Sequence, residues 1–246
     1  MKRISLLVLL ITVMVACSKD NASVTNNGSV GKGGSLARFS IVGNYLYMVD
    51  NTSLITYDIT NAINPVLKNK LSMAIGIETI YPYKDKLFIG SRDGMYIYDL
   101  KQPDLPVLLG TARHVRSCDP VVANDSIAYV TLRSGTPCGT VATDALFIYN
   151  VKNLLQPTEI KSLALSTPYG LGIKDSTLFV CRGDSGMSLV NVKKPEQPVL
   201  VRTIKDGVYY DVIPIDNLLI CQVKTGLILY DIADVSNMKM ITKVDN

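Results

Sequence analysis

Two short apolar runs recur in the same order five times along the chain. The first is Leu46-Tyr47-Met48-Val49, then Leu87-Phe88-Ile89-Gly90, Ile127-Ala128-Tyr129-Val130, Leu178-Phe179-Val180-Cys181 and Leu218-Leu219-Ile220-Cys221. The second follows each time as Tyr57-Asp58-Ile59, Tyr98-Asp99-Leu100, Tyr149-Asn150-Val151, Val190-Asn191-Val192 and Tyr230-Asp231-Ile232. The polar residues within the second run, at 58, 99, 150, 191 and 231, are spaced by 41, 51, 41 and 40. Seven residues later stands Pro65, Pro106, Pro157 or Pro198, with Met238 in the last copy. Three landmarks in register over five copies mark a repeat protein. The one long step is accounted for by an insertion at Ser134 to Thr143.

Each unit holds four strand-like runs. In the second copy they are Thr79-Ile80-Tyr81-Pro82, Leu87-Phe88-Ile89, Met95-Tyr96-Ile97-Tyr98 and Val107-Leu108-Leu109, separated by turn residues such as Arg92-Asp93-Gly94. The third run is apolar on both faces, Met95 and Ile97 on one and Tyr96 and Tyr98 on the other. A sheet buried on both sides fits a blade between two neighbours. The prediction is all-β: a β-propeller of about five four-stranded blades, near 35–74, 75–115, 116–166, 167–207 and 208–246. Two separate sandwiches would not explain the constant register. The first and last units both look complete, so the ring closes by side-chain packing or stays an open arc that needs a partner.

Recurrence points to structure. Asp58 and its counterparts are expected to bond the backbone of the turn that follows. The proline sets φ where the outer strand begins. Five such carboxylates or amides on five blades cannot converge on one ion, so no metal or other cofactor is assigned.

The N-terminus has a different pattern. Lys2-Arg3 precedes an apolar stretch from Ile4 to Ala16 broken only by Ser5 and Thr12, too short to span a bilayer. It reads as a signal peptide over 1–16. Ala16-Cys17 resembles the lipobox of bacterial lipoproteins, with Met14 in place of the usual leucine. That resemblance implies acylation of Cys17 and a membrane partner through the N-terminal lipid. Ser18-Lys19-Asp20-Asn21 is similar to the start of many Bacteroidetes lipoproteins. Ser18 in place of aspartate implies passage to the outer membrane, hence the cell envelope. The segment 17–34, rich in Ser, Asn and Gly, is expected to be a flexible tether.

Composition narrows the function. Hydrophobic residues make up 48% of the 246, enough for a large core. The net charge of +4 falls to +2 once Lys2 and Arg3 are removed, with 23 basic against 21 acidic residues, which is no footprint for nucleic acid.

Gly94-Met95-Tyr96-Ile97-Tyr98-Asp99-Leu100 followed by Pro106-Val107-Leu108 resembles the LVIVD repeat of bacterial and archaeal surface proteins, over Ser35 to Asn246. Cys118-Asp119-Pro120-Val121-Val122, Ala128-Tyr129-Val130-Thr131-Leu132-Arg133 and Pro168-Tyr169-Gly170-Leu171-Gly172 resemble one Bacteroidetes lipoprotein group within it. The departures are Val190-Asn191 in blade four and the missing proline in blade five. The resemblance implies fold and location rather than activity.

Cys118 starts the inner strand of blade three and Cys138 lies in its insertion. In a four-stranded meander both places fall at the same end of the blade. A disulfide is therefore expected, a reading that the family likeness supports. Cys181 and Cys221 are aligned with Val49, Gly90 and Val130, a slot for small apolar side chains, so buried free thiols are expected there.

Two stretches imitate a catalytic site. Cys181-Arg182-Gly183-Asp184-Ser185-Gly186 resembles the nucleophile loop of chymotrypsin-like proteases, and Thr111-Ala112-Arg113-His114 resembles their histidine motif. The repeat explains the first more simply. Gly186 aligns with Gly94 and Gly226, just before the third strand, where a hairpin needs φ > 0. The same hairpin covers the Arg182-Gly183-Asp184 tripeptide. No catalytic residue is assigned.

If the inner strands all start from one face, the links between blades and the second-to-third-strand loops share that face. It then carries Glu78, Arg116, Asp119, Arg133, Tyr169, Arg182, Tyr210 and Asp211. Mixed charge with tyrosines suits a glycan, a peptide or an envelope protein partner. The reading is a binding or scaffolding module. The alternative is a carbohydrate-active enzyme using the rim carboxylates Glu78, Asp119 or Asp211.

Overall fold

The computed structural model describes residues 33–73, 75–113, 120–135 and 144–246. The signal peptide, Cys17, His114, Arg116, the Cys118–Cys138 pair and Asp119 lie outside the described residues. Five four-stranded antiparallel sheets follow one another, each in simple sequence order, and form a five-bladed β-propeller. Blade 1 is β1 (Phe39–Val42), β2 (Tyr45–Val49), β3 (Ser53–Asp58) and β4 (Val66–Ser72). Blade 2 is β5 (Ile77–Tyr83), β6 (Lys86–Ser91), β7 (Gly94–Asp99) and β8 (Val107–Arg113). Blade 3 is β9 (Val121–Ala123), β10 (Ile127–Leu132), β11 (Ala145–Asn150) and β12 (Thr158–Ala164). Blade 4 is β13 (Leu171–Lys174), β14 (Thr177–Cys181), β15 (Met187–Asn191) and β16 (Val199–Ile204). Blade 5 is β17 (Tyr209–Ile215), β18 (Leu218–Val223), β19 (Gly226–Asp231) and β20 (Lys239–Asp245).

The repeated polar residue acts as expected in every blade. Oδ1 of Asp58, Asp99, Asn150, Asn191 and Asp231 accepts from the backbone N–H two residues on, at 2.9, 3.2, 3.0, 2.9 and 2.9 Å. The four prolines each immediately precede an outer strand. In blade 5 a 3-10 turn at Val235–Asn237, capped by Asp234, leads into β20 instead. Each outer strand also carries a bulge at the same repeat position, opposite Tyr57, Tyr98, Tyr149, Val190 and Tyr230. The first residues of the outer strands, Val66 and Leu67, Val107 and Leu108, and Val199 and Leu200, are exposed at the rim.

The core is divided among successive blades. Tyr47, Val49 and Leu54 of blade 1 pack on Ile80, Leu87, Ile89 and Tyr98 of blade 2. Phe88, Met95 and Ile97 pack on Val121, Ala128, Val130 and Tyr149. Tyr129, Leu146 and Ile148 pack on Leu171, Leu178 and Val180. Phe179, Cys181, Met187 and Leu189 pack on Val212, Leu219, Cys221 and Ile228. Each aliphatic or aromatic side chain so buried contributes about 2 kcal/mol. A blade thus has a leading face toward its predecessor and a trailing face toward its successor. The trailing face of blade 5 and the leading face of blade 1 form no such cluster among the described residues.

Pairing corrects the alignment of two repeats. Tyr45, Lys86, Ile127, Thr177 and Leu218 stand opposite the repeated Asp or Asn. Counting from there, Thr131 and Gln222 share a position with Val49, Gly90 and Cys181, whereas Val130 and Cys221 fall one residue earlier. Cys181 therefore lies on the trailing face of blade 4 and Cys221 on the leading face of blade 5, both in one core. Both are free thiols, as expected, and both are buried.

The glycine slot before the third strand also needs a correction. Gly186 and Gly226 have φ of 89° and 137°, but Gly94 is not among the residues of positive φ. At all three a Cβ would collide with the backbone of the outer strand. Close approach is the shared requirement, and φ > 0 accompanies it in only two blades.

Candidate functional site

Among the described residues, the N-terminal ends of the inner strands and the loops between second and third strands lie at one mouth of the channel. Arg133, just after β10, lays its guanidinium carbon 3.8 Å from the centre of the Tyr169 ring. The Tyr169 ring meets that of Tyr210 edge-on, with centroids 5.3 Å apart. Tyr169 is pinned through its backbone, its N–H donating to Cys181 O at 2.8 Å and its carbonyl accepting from Thr131 Oγ1 at 2.7 Å. Blades 3, 4 and 5 thus build one aromatic and cationic ledge.

Blade 2 supplies a carboxylate. Glu78 is half-buried at the start of β5. Burial pushes its carboxyl above the usual value, and the positive fields of Arg92, Arg38 and Arg133 pull against that rise. Arg38 lies beside it from blade 1, donating to Ile77 O at 3.4 Å. The described residues of this mouth therefore include three guanidiniums acting on one carboxylate, next to two tyrosines.

Arg182 is committed elsewhere. Its Nε donates to Ser166 O at 3.0 Å, one terminal nitrogen to Ser188 Oγ at 3.1 Å and the other to Ser166 Oγ. It staples the blade 4 hairpin to the link from blade 3. The protease-like stretch is that hairpin, closed by Ser185 N–H to Arg182 O and Gly186 N–H to Gly183 O, each 3.0 Å. The ends of the blade 3 insertion are tied to the same link. Asp144 accepts from Ser134 N–H and Thr167 N–H, both at 2.6 Å.

Asp211 stands inside the channel, 7% exposed. Its Oδ1 accepts from Ser35 Oγ at 3.1 Å and Val212 N–H at 3.0 Å, and its Oδ2 accepts from Leu36 N–H at 3.2 Å. Ser35 Oγ in turn accepts from Leu171 N–H at 2.7 Å. The segment Gly33-Gly34-Ser35-Leu36 is thus a strap laid across blades 4 and 5. Any Cβ on Gly34 or Gly170 would overlap the Asp211 carboxylate. Burial raises the Asp211 carboxyl to about 6, against the hydrogen bonds that favour its charge. Gly34 and Ser35 are buried although the tether composition around them predicts solvation.

A further recess occupies the channel. Its volume is about 470 Å³, with Tyr81, Pro82, Val122, Ile173 and Pro214 among its walls and Ser35 of the strap lining it as well. Lys84, Asn124 and Asp175, from the turns at the opposite mouth, also line it.

One buried network escaped the sequence. Tyr209 and Tyr230 both donate to the Asp206 carboxylate, Tyr230 at 2.6 Å, and their hydroxyl oxygens lie 2.6 Å apart. Burial and Asp206 push both phenols up. Asp206 lies in the link from blade 4 to blade 5, so the network fixes where blade 5 begins. Tyr230 is the repeat tyrosine, but nothing in the repeat marks Asp206 as its partner.

No protein-family model and no curated protein matches the chain. Solved structures do. A functionally unknown protein from Desulfotomaculum acetoxidans is 11% identical, with a TM-score of 0.66 over 82% of this chain and 66% of that one. The periplasmic gluconolactonase PpgL of Pseudomonas aeruginosa is 13% identical, with a TM-score of 0.63 over 82% of this chain and 68% of that one. AztD of Citrobacter koseri is 13% identical, with a TM-score of 0.57 over 80% of this chain and 58% of that one. The chain spans roughly three-fifths to two-thirds of the length of these proteins. The likeness is one of fold, and it places the chain among the β-propellers.

Proposed function

We propose that the protein is a cell-envelope lipoprotein, held through acylated Cys17 and strengthened by a Cys118–Cys138 disulfide, whose propeller binds an acidic glycan or peptide. The observation that carries the binding half is the ledge of Arg133 on Tyr169 against Tyr210, beside Arg38 and Arg92. Tyrosine faces stack on sugar rings or peptide side chains, and guanidiniums pair with carboxylates in fork geometry. Non-enzymatic binding is favoured over carbohydrate cleavage because the Asp211 carboxylate is already occupied by the strap. The signal segment and the Ala16-Cys17 junction support the envelope half.

The test is affinity electrophoresis of the mature chain through gels carrying polygalacturonate or neutral dextran. Retardation by polygalacturonate only, lost in Arg133→Gln and Tyr169→Ala, is expected. Equal mobility in all gels would overturn the acidic-ligand reading. Labelled palmitate incorporated by the wild type and not by Cys17→Ser tests the anchor.

The channel recess favours a second reading, a small apolar ligand, because its size and walls suit one. The chain has no tryptophan, so Ile173→Trp places a single reporter in that wall. A shift of its emission on adding a neutral apolar probe such as N-phenyl-1-naphthylamine is the expected result. An unchanged spectrum would exclude the recess.

A further inference from the structure

We propose that the channel recess binds a linear cationic amphiphile, inserted apolar end first from the mouth opposite the ledge, its ammonium held by Asp175 and its tail stopped by the strap. The proposal rests on the reading of the recess as a site for a small apolar ligand, and it gives that ligand a shape, a direction and a charge.

The strap gives the recess a closed end. Ser35 is bonded to blades 4 and 5 through Leu171 N–H and the Asp211 carboxylate. Two residues on, the Ala37 carbonyl accepts from Ile80 N–H of blade 2 at 2.9 Å. Residues 35–37 thus cross the channel, and Gly33 and Ser35 are walls of the recess. Tyr81, Val122, Ile173, Ile213 and Pro214 form its sides, from the inner strands of four blades. From Leu171, at the level of the strap, the chain advances to Asp175 at the opposite mouth, about 13 Å at about 3.3 Å per residue. A space of that depth and about 470 Å³, apolar along its sides, takes an extended alkyl chain.

The open end sets the charge. Lys84, Asn124 and Asp175 line it. Lys84 is already paired, since its ammonium donates to Asp125 and lies 5.4 Å from the centre of the Tyr83 ring. The amide oxygen of Asn124 accepts from Ser126 N–H at 3.0 Å and Ile127 N–H at 2.9 Å. The neighbouring ammonium of Lys174 donates to Asp216 O at 2.7 Å and to Asn217 Oδ1 and Ile232 O, both at 3.0 Å. The Asp175 carboxylate has no hydrogen bond or ion pair among the described residues. A carboxylate without a cation, at the lip of an apolar recess, selects a positively charged head.

The test is isothermal titration calorimetry with decylamine, decanol and decanoate, each below its micelle concentration, at low salt and near neutral pH. The Cys17→Ser chain is used, because it carries no acyl group and needs no detergent. Decylamine is expected to bind about fivefold more tightly than decanol, a modest factor because solvent reaches the rim, and decanoate more weakly than either. Asp175→Asn is expected to erase the difference between decylamine and decanol. Asparagine tolerates the left-handed φ of 53° at this turn, and circular dichroism of the variant checks the fold. Across alkylamines of increasing length, affinity is expected to rise about fourfold per methylene and to level off where the tail meets the strap. A rise that never levels off would overturn the closed end. Equal affinities for the three probes, or a decylamine affinity that Asp175→Asn leaves unchanged, would overturn the cationic head while the recess reading stands. Binding of none of the three would overturn the whole proposal, and N-phenyl-1-naphthylamine with Ile173→Trp then shows whether the recess reading falls with it.

Discussion

Ser35 and Asp211, 176 residues apart in sequence, share a hydrogen bond inside the channel, with Ser35 Oγ 3.1 Å from Asp211 Oδ1. The serine also receives Leu171 N–H, so one hydroxyl joins the strap to two blades. Ser35→Ala leaves a buried N–H and a carboxylate oxygen short of partners. The expected loss is about 1–3 kcal/mol of unfolding free energy, read from urea melts.

Asp211 gives the pH dependence a definite sign. Its carboxyl is raised from 3.8 to about 6 in the folded chain, so the native state holds that proton more tightly than the unfolded state. The resulting stability is fully present below about pH 4 and is lost as pH rises through about 6. Two units correspond to at most about 3 kcal/mol. Asp58 and Asp85 are lowered by their hydrogen bonds, so their contribution is lost as pH falls below 4, a separate window. Urea melts between pH 4 and 7 are expected to fall in the wild type and to be flatter in Asp211→Asn. Equal slopes in the two proteins would reject this assignment.

Ser40 and Thr56 bury hydroxyls without a hydrogen-bond partner on the face of blade 1 that meets blade 2. Both are cross-strand neighbours of Tyr47, whose own hydroxyl reaches Pro103 O at 2.7 Å. Thr56→Val keeps the shape and removes the desolvated oxygen. It is expected to raise stability by about 1 kcal/mol in thermal or urea unfolding.

Asp206 satisfies two buried phenols at once. Asp206→Ala leaves the two phenols only each other as partners, and a loss of about 1–3 kcal/mol is expected. The losses from Asp206→Ala and Tyr230→Phe are expected to be non-additive in a double-mutant cycle. Additive losses would show that the network is not the source.

Cys181 and Cys221 are buried, and burial pushes both thiols up. Neither is expected to react with iodoacetamide in the native chain at neutral pH, and both become labelled on unfolding. Mass spectrometry of labelled peptides reads this directly. Rapid native labelling at either site would mean that blades 4 and 5 separate readily.

The sequence revealed the period, the Asx bond of each third strand and the hairpin glycines because these depend on local chemistry at fixed offsets. Register in blades 3 and 5 was not legible. A blade buried on both faces has apolar residues at odd and even positions alike, so the alternation that normally fixes register is missing. Val130 and Cys221 look as suitable as Thr131 and Gln222 until the pairing is seen. The ledge residues Arg133, Tyr169 and Tyr210 could be assigned to one mouth from topology alone. Asp211 could not be told from a rim carboxylate, because its partners lie in a Gly-Ser segment whose composition suggests a solvated linker.

The strap changes how the ring answers a mechanical load. A pull arriving from the N-terminal side meets Ser35 and Leu36 before it meets β1. Tension is then divided between blades 4 and 5 rather than unzipping the first strand of blade 1. The strap acts as strain relief, and the first event under force is release of Ser35 from Asp211 and Leu171 with all five sheets still intact.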